Sequence, residues 1–370
     1  MAGLYFHFPF CKSVCAYCDF FRSVRLSDVK RVVEAMHHEL YEQRYFLPNP
    51  NFETIYFGGG TPSILAPEEL QRFIDSAEKL HDLSNVGEIT VEVNPDDVTP
   101  EYVAALRRTD VNRVSMGVQS FSDEELRFMN RRHSSAEAVA AVRRLQDAGF
   151  DNITIDLIFG VDGFGDDVLA RNLEQALSLD VQHISAYHLT IEPSTTFHRR
   201  LLRGQMQEVA EERSEQEFLM IHKTLTAAGY EHYEVSNFAL EGFRARHNAS
   251  YWHGAHYLGI GPGAHSYNGV ERHYTLQEFG DYCAERIYQS EQLDERDHFN
   301  EYIMTSLRCA EGLDLEHIEQ RFGKLFCETL LVRADAWLAS GDLVAEGGRL
   351  RIPAERFLVS DAVIEGFFEV

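Results

Sequence analysis

The chain has 370 residues, 44% of them hydrophobic, which is too long for one small domain and enough to bury a large core with a satellite beside it; two domains are expected. Its 34 Lys and Arg against 59 Asp and Glu give a formal net charge of −25, a field that repels phosphate backbones and anionic lipid and so excludes nucleic acid as a partner. No basic, then apolar, leader opens the chain and no run of about 18 apolar residues occurs, so no transmembrane segment and a soluble cytoplasmic protein are expected.

The first strand candidate is LYFHFP, starting at Leu4, and Cys11, Cys15 and Cys18 follow it in the spacing C-x-x-x-C-x-x-C. Five more β-rich runs come after: TIYFGG from Thr54, EITVEVNP from Glu88, NRVSMGVQ from Asn112, NITIDLIFG from Asn152 and HISAYHLT from His183. Between them lie helical patterns with apolar residues recurring at three and four, such as PEELQRFIDSAEKL from Pro67 and SSAEAVAAVRRLQDAGF from Ser134, the latter stopped by Gly149. Alternating βα units predict an α/β fold with a parallel sheet and right-handed crossovers. Periodicity leaves open whether that sheet lies flat or curls into a barrel. In either case functional groups belong at the carboxyl ends of the strands. Polar or glycine residues do fall there: Cys11, then 58–61, then 92–95, then Gln119, then 156–160.

After about Ala239 the rhythm breaks into RARHNASYWHGAHYLGIGPGAHSYNG, read as an ordered connector beside the site, too irregular for helix and too aromatic for a disordered linker. From about His298 the pattern is helical; GDLVAEGGRLRI at 341–352 then reads as two short strands around Gly347 and Gly348. Together these predict a small α+β, winged-helix-like domain. With only Arg349 and Arg351 as cations on its hairpin, it is not expected to bind DNA. The boundaries read as 1–239 for the core, 240–297 for the connector and 298–370 for the C-terminal domain. Cys283, Cys309 and Cys327 are scattered and are expected to pack as small hydrophobes; a disulfide framework is not expected.

The cysteine trio is the sharpest chemical signal. A structural zinc site takes four protein ligands, and His7 is the one nearby nitrogen that could complete it. Three thiolates on one short loop also suit a [4Fe–4S] cubane, leaving one iron open to bind a substrate or cofactor.

At these residues the chain resembles the radical S-adenosylmethionine superfamily, within it the branch containing oxygen-independent coproporphyrinogen III dehydrogenase (HemN) and heme chaperone HemW. The resemblance implies a partial (β/α)6 TIM-like barrel holding a [4Fe–4S] cluster and S-adenosylmethionine, with Cys11, Cys15 and Cys18 as cluster ligands. GGGTP at 58–62, carrying Gly59, Gly60 and Thr61, matches the motif for the methionine end of the cofactor, and EVNP at 92–95 matches the carboxylate, Glu92, that holds ribose hydroxyls. Gln119 in GVQSF, Asp156 in DLIFG and Arg131 fall where the family places further cofactor-site groups. Tyr5 and Tyr17, flanking the cysteine loop, match aromatic positions near cluster and cofactor.

Two departures separate the chain from the dehydrogenase side of the branch. A further cysteine is expected there two residues past Cys18, where this chain has Phe20, and only ten residues precede Cys11 where the dehydrogenase carries an extension. HNASYW at 247–252 instead matches the H-N-x-x-Y-W motif of the heme-chaperone side. The resemblance then implies His247 as a ligand of heme iron, with Asn248, Tyr251 and Trp252 as pocket residues. The function expected is heme carriage to an acceptor protein; oxidative decarboxylation of coproporphyrinogen III, or another radical reaction on a tetrapyrrole, is the alternative. No side chain is assigned a catalytic role. The partners expected are heme, a heme-accepting protein, an electron donor for the cluster where the cofactor is cleaved and, compatible with these, a second copy of the chain as a homodimer.

Overall fold

The structure, a computed structural model, describes residues 2–275 and 278–369. The six expected strands form as β1 (Ala2–Phe8), β2 (Phe52–Gly59), β3 (Glu88–Val93), β4 (Arg113–Gln119), β5 (Ile153–Phe159) and β6 (His183–His188). They pair parallel and in chain order, and helices connect them. Parallel strands covered on both faces read as nearly continuous apolar runs, and these do. In β1, β3 and β5 the residues that break the run of burial are Tyr5, Glu92 and Asp156, which point to the concave side. Leu4, Phe6 and Phe8 alternate with Tyr5 and His7, so the outer face packs on helices while the inner face carries polar groups.

The helices form for the reasons visible in the sequence. Pro67–Glu78 begins with proline in its first turn, where no backbone N–H is needed, and buries Leu70, Phe73, Ile74 and Ala77. Ser135–Asp147 is closed by a capping box between Ser134 and Glu137, and Gly149 follows at φ 86°, a left-handed turn that glycine adopts without a Cβ penalty.

The segment expected to be an irregular connector is regular. It supplies the helix Arg246–Trp252 and four strands, β9 (His256–Ile260), β10 (His265–Tyr267), β11 (Glu271–Tyr274) and β12 (Gln289–Gln292); just before it, β7 (Glu231–Glu234) and β8 (Asn237–Ala239) form a hairpin. β9 pairs parallel with β1, β10–β12 continue antiparallel, and β8 pairs with β6. The result is one 12-stranded sheet in the order β12-β11-β10-β9-β1-β2-β3-β4-β5-β6-β8-β7. The half-barrel is thus widened at both edges.

The C-terminal domain contains the helices Glu295–Leu307, Leu315–Phe322 and Lys324–Ser340 and a three-stranded sheet of β13 (Leu313–Asp314), β14 (Val344–Glu346) and β15 (Arg349–Arg351). The expected hairpin turns at Gly347 and Gly348, both at positive φ, as a two-residue turn requires. Glu295–Leu307 and the residues after it are tied to both ends of the large sheet. Arg272 on β11 holds Glu301 at 2.7 Å, and at the other end Val235 and Tyr233 exchange backbone bonds with Arg308 and Ala310. No helix among the described residues is long and apolar enough to cross a membrane.

Candidate functional site

The strand ends converge on a cavity of about 500 Å³. It is lined by Cys11, Cys15, Cys18, Tyr17, Gly59, Gly60, Thr61, Glu92, Gln119, Arg131 and Asp156, eleven of the sixteen site residues expected from sequence.

The cysteine loop is closed at its base by Cys11 N–H to Ser23 O (2.9 Å) and Ser23 N–H to Pro9 O (2.6 Å), and its tip rests on the stretch after Phe128 through Ala16 N–H to Met129 O (2.9 Å). Arg131 clamps it from the side. The guanidinium donates to Cys15 Sγ (3.3 Å), Tyr17 Oη (3.5 Å), Asn94 Oδ1 (2.8 Å) and Gly117 O (2.5 Å), joining the loop to β3 and β4. Thr61 Oγ1 donates to Cys11 Sγ at 3.5 Å. Gly60 is glycine for a steric reason: a Cβ there would lie 2.7 Å from Phe10 O and 3.0 Å from Cys11 Sγ. Burial pushes the Cys11 and Cys18 thiols up, so thiolates need added positive charge beyond Arg22 and Arg131.

Among the described residues no three His, Cys, Asp or Glu side chains converge as one metal ion requires. The three thiols share one cavity, as ligands of a single cluster would, while His7, the nitrogen that could complete a closed zinc site, does not line it and is bonded to Tyr5 Oη (2.9 Å) and Phe21 O (3.4 Å).

Across the cavity Glu92 accepts from Tyr56 Oη (2.8 Å) and Gly59 N–H (3.1 Å). Burial, with the Asp156 charge adding to it, raises its carboxyl to about 7; burial likewise raises Asp156 to about 6. Gln119 sits at φ 68°, a left-handed conformation that a glutamine adopts at some cost, where the β4–β5 register shifts. Its Oε1 and Arg131 Nε are buried without hydrogen-bond partners among the described residues. Such unsatisfied groups beside a glycine cradle are what a polar ligand would complete.

The remaining expected residues lie elsewhere. Tyr5 faces away from the cysteine cavity, into two other spaces, an interior cavity of about 260 Å³ and a larger one of about 880 Å³ against the C-terminal domain. Asn248 lines the first, Tyr251 both and Trp252 the second. His247, expected to offer imidazole to heme iron, is 1% exposed inside the barrel. Its Nδ1 is bonded to Thr54 Oγ1 (2.7 Å) and its Nε2 to Tyr251 Oη (2.8 Å), while its backbone N–H donates to Glu88 Oε1 (2.9 Å). Burial, helped by Arg113, lowers its pKa to about 3, so the ring is neutral and both nitrogens are engaged.

Sequence reasoning did not find Asn94, Ser115 or Tyr187, which line the cysteine cavity, nor Arg113 on the barrel floor. Arg113 is 1% exposed, its Nε 3.9 Å from Glu88 Oε2, and neither Nε nor Nη1 makes a hydrogen bond among the described residues. A cation on a strand whose alternate residues, Val114, Met116 and Val118, are apolar was its signal.

Comparison with known proteins places this geometry. Residues 5–176 match the model of the Radical SAM superfamily and residues 293–358 that of the HemN C-terminal domain. Proteins named heme chaperone HemW are similar over most of the chain. One from Mycobacterium tuberculosis is 35% identical, covering 98% of this chain and 93% of its own; one from Lactococcus lactis is 35% identical over 86% and 84%; one from Bacillus subtilis is 32% identical over 88% of each. The solved structure of the radical SAM enzyme coproporphyrinogen III oxidase (HemN) from Escherichia coli shares the fold, with a TM-score of 0.85 at 21% identity, covering 99% of this chain and 89% of its own.

Proposed function

Because the chain belongs to the HemW family of the radical SAM superfamily, we propose that it is a heme chaperone, binding a [4Fe–4S] cluster, S-adenosylmethionine and heme and delivering the heme to an acceptor protein. The observation that carries the reading is the pairing of two features on one barrel: a three-cysteine cavity in which Phe20, 65% exposed, stands at the fourth-cysteine position, and an H-N-x-x-Y-W helix beside a second, larger cavity. We read the core as 1–239, the stretch 240–297 as the heme-motif segment and 298–370 as the C-terminal domain.

In this reading Cys11, Cys15 and Cys18 hold the cluster and Arg131 steadies the loop through Cys15. When bound, the cluster supplies an open iron for the methionine end of the cofactor and a source of one electron. Gly59, Gly60 and Thr61 let backbone approach that end, and Glu92, fixed by Tyr56 and Gly59, accepts the ribose hydroxyls. Gln119 and Asp156 complete the polar wall. The acceptor protein, an electron donor and a homodimeric state belong to the same proposal.

A second reading, oxidation of a porphyrinogen, is favoured by one observation: the cofactor cavity is fully built, from the cysteine loop to Asp156. The two separate in one anaerobic assay of reconstituted protein with S-adenosylmethionine and reductant, given coproporphyrinogen III or heme, with tetrapyrroles and 5′-deoxyadenosine followed by chromatography. Stable heme binding, and its passage to a heme-free acceptor without porphyrinogen turnover, is the expected result. Conversion to protoporphyrinogen would overturn it.

A further inference from the structure

Along β4, Arg113 shares a face with Ser115, Gly117 and Gln119. Those three line the cysteine cavity, whereas Arg113, at the opposite end of the strand, lines the interior cavity of about 260 Å³. That cavity adjoins both of the others. It shares Glu92, Ser115, Asp156 and Tyr187 with the first, and Tyr5 and Tyr251 with the larger one.

The bonding of Arg113 is incomplete. Its Nη2 donates to Thr154 Oγ1, yet it is the one side chain among the described residues with two buried polar atoms lacking a hydrogen bond, Nε and Nη1. Nε faces Glu88 Oε2 at 3.9 Å, too far for a hydrogen bond. That carboxylate is already committed to the backbone N–H groups of Arg246 (3.0 Å) and His247 (2.9 Å). A guanidinium does not shed its proton, so a full charge with a spare donor stays in the barrel interior.

A second donor shares the wall. His183 is 1% exposed, lines the same cavity, and its Nδ1 also lacks a partner among the described residues. Its Nε2 lies 2.8 Å from Tyr233 Oη, which accepts from Ala245 N–H (3.4 Å) and donates its own proton to the ring. Burial, helped by Arg113, keeps the imidazole neutral, and its proton then sits on Nδ1. The two carboxyls in the lining, Glu92 and Asp156, are raised by burial to about 7 and about 6, so on the acid side of neutrality they hold protons and donate as well.

These donors call for an acceptor, and the space limits which. About 260 Å³ is below the roughly 300–1,000 Å³ of sites that enclose a whole cofactor, so the cavity takes a limb or a molecule of a few heavy atoms. One guanidinium matches one negative charge; a dianion would set its second charge against Glu92 and Asp156.

We propose that the interior cavity is a carboxylate-binding site, with Arg113 Nη1 and His183 Nδ1 as its donors. Two sources supply such a group: a propionate arm of the tetrapyrrole, which rests on the heme-chaperone reading, or a free short-chain carboxylate.

The test uses full-length, cluster-loaded protein in slightly acid buffer. Carboxyl-labelled propionate is titrated and followed by nuclear magnetic resonance, with chloride at equal ionic strength as the control. Hemin and its dimethyl ester, which lacks both carboxylates, are titrated by absorbance. Arg113→Lys keeps a cation opposite Glu88 but withdraws the planar donor, and His183→Phe removes the Nδ1 donor while leaving Arg113 and Glu88 in place. Both variants should weaken carboxylate binding by about tenfold or more. With the arm as source, hemin binds wild type at least about tenfold more tightly than the diester, and the variants close that gap. With the free acid as source, the two porphyrins bind alike and propionate alone separates wild type from the variants. Equal affinity for hemin and diester together with no propionate binding, or displacement of propionate by chloride, would overturn the site while leaving heme carriage intact. A wild-type protein that binds neither porphyrin would overturn the heme-chaperone reading, and the propionate titration would then decide the site by itself.

Discussion

Replacing Glu92 by Gln should make the cluster-free protein more stable at alkaline pH. Burial, with Asp156 nearby, raises this carboxyl from its ordinary 4.5 to about 7, a difference of about 3 kcal/mol at roughly 1.4 kcal/mol per unit. The folded state holds the proton over a range in which the unfolded chain has released it. The cost of the buried charge is therefore absent below about pH 4.5, grows as pH rises and is complete above about 7. A glutamine in its place never carries that charge. The amide oxygen can accept from Tyr56, but the NH2 cannot accept from Gly59 N–H, a loss of about 1 kcal/mol. The variant should thus be about 2 kcal/mol more stable than wild type well above neutrality and slightly less stable near pH 4.5. Urea unfolding of both proteins under reducing conditions across this pH range measures the difference. S-adenosylmethionine affinity of the reconstituted variant should fall by about tenfold or more, since a hydrogen bond to a charged acceptor is worth about 1.5–3 kcal/mol. A variant less stable than wild type at every pH would refute the account of Glu92 as a carboxylate held for its ligand at the expense of the fold.

Alanine at Cys11, Cys15 and Cys18 together should abolish the visible absorbance of reconstituted protein, and unchanged iron and sulfide would sink the cluster assignment. Gly60→Ala should displace the cysteine loop, because its Cβ would meet Phe10 O at 2.7 Å; lower cluster occupancy after reconstitution, with a near-normal circular dichroism spectrum, is the expected outcome. Arg113→Met should destabilise the chain by about 3–5 kcal/mol in urea, because it strands the buried Glu88, which also anchors the backbone of Arg246 and His247. Ser134→Ala serves as a contrast, costing about 1 kcal/mol through the lost cap with no change in cofactor affinity.

The six central strands were legible because each couples an apolar run to a polar or glycine end, and their burial on two faces imposes that pattern. β9 escaped notice because its sequence, HYLGI, looks like loop: Gly259 is required where a Cβ would lie 2.0 Å from His265 O, a tertiary contact that no local pattern announces. β12 is QSEQ, exposed throughout, and an edge strand without a buried face has no hydrophobic period to read. The cysteine cavity was legible for a related reason, since its groups fall at the strand ends. His247 was legible as a motif but not as a location. Only the fold shows that Thr54, on a strand nearly two hundred residues earlier, already occupies its Nδ1.

The helix Glu295–Leu307 and its neighbours span the opening between the two ends of the large sheet, held to β11 by Arg272 and to β7 by Arg308 and Ala310. A chain ending before Glu295 would leave the β7 end as a row of unpaired backbone groups and would remove one wall of the larger cavity. Bare edges recruit other strands, so a shortened protein would tend to associate with itself instead of persisting as a minimal cofactor-binding core. The C-terminal domain is in this sense an internal partner: it occupies the edge that another copy would otherwise take.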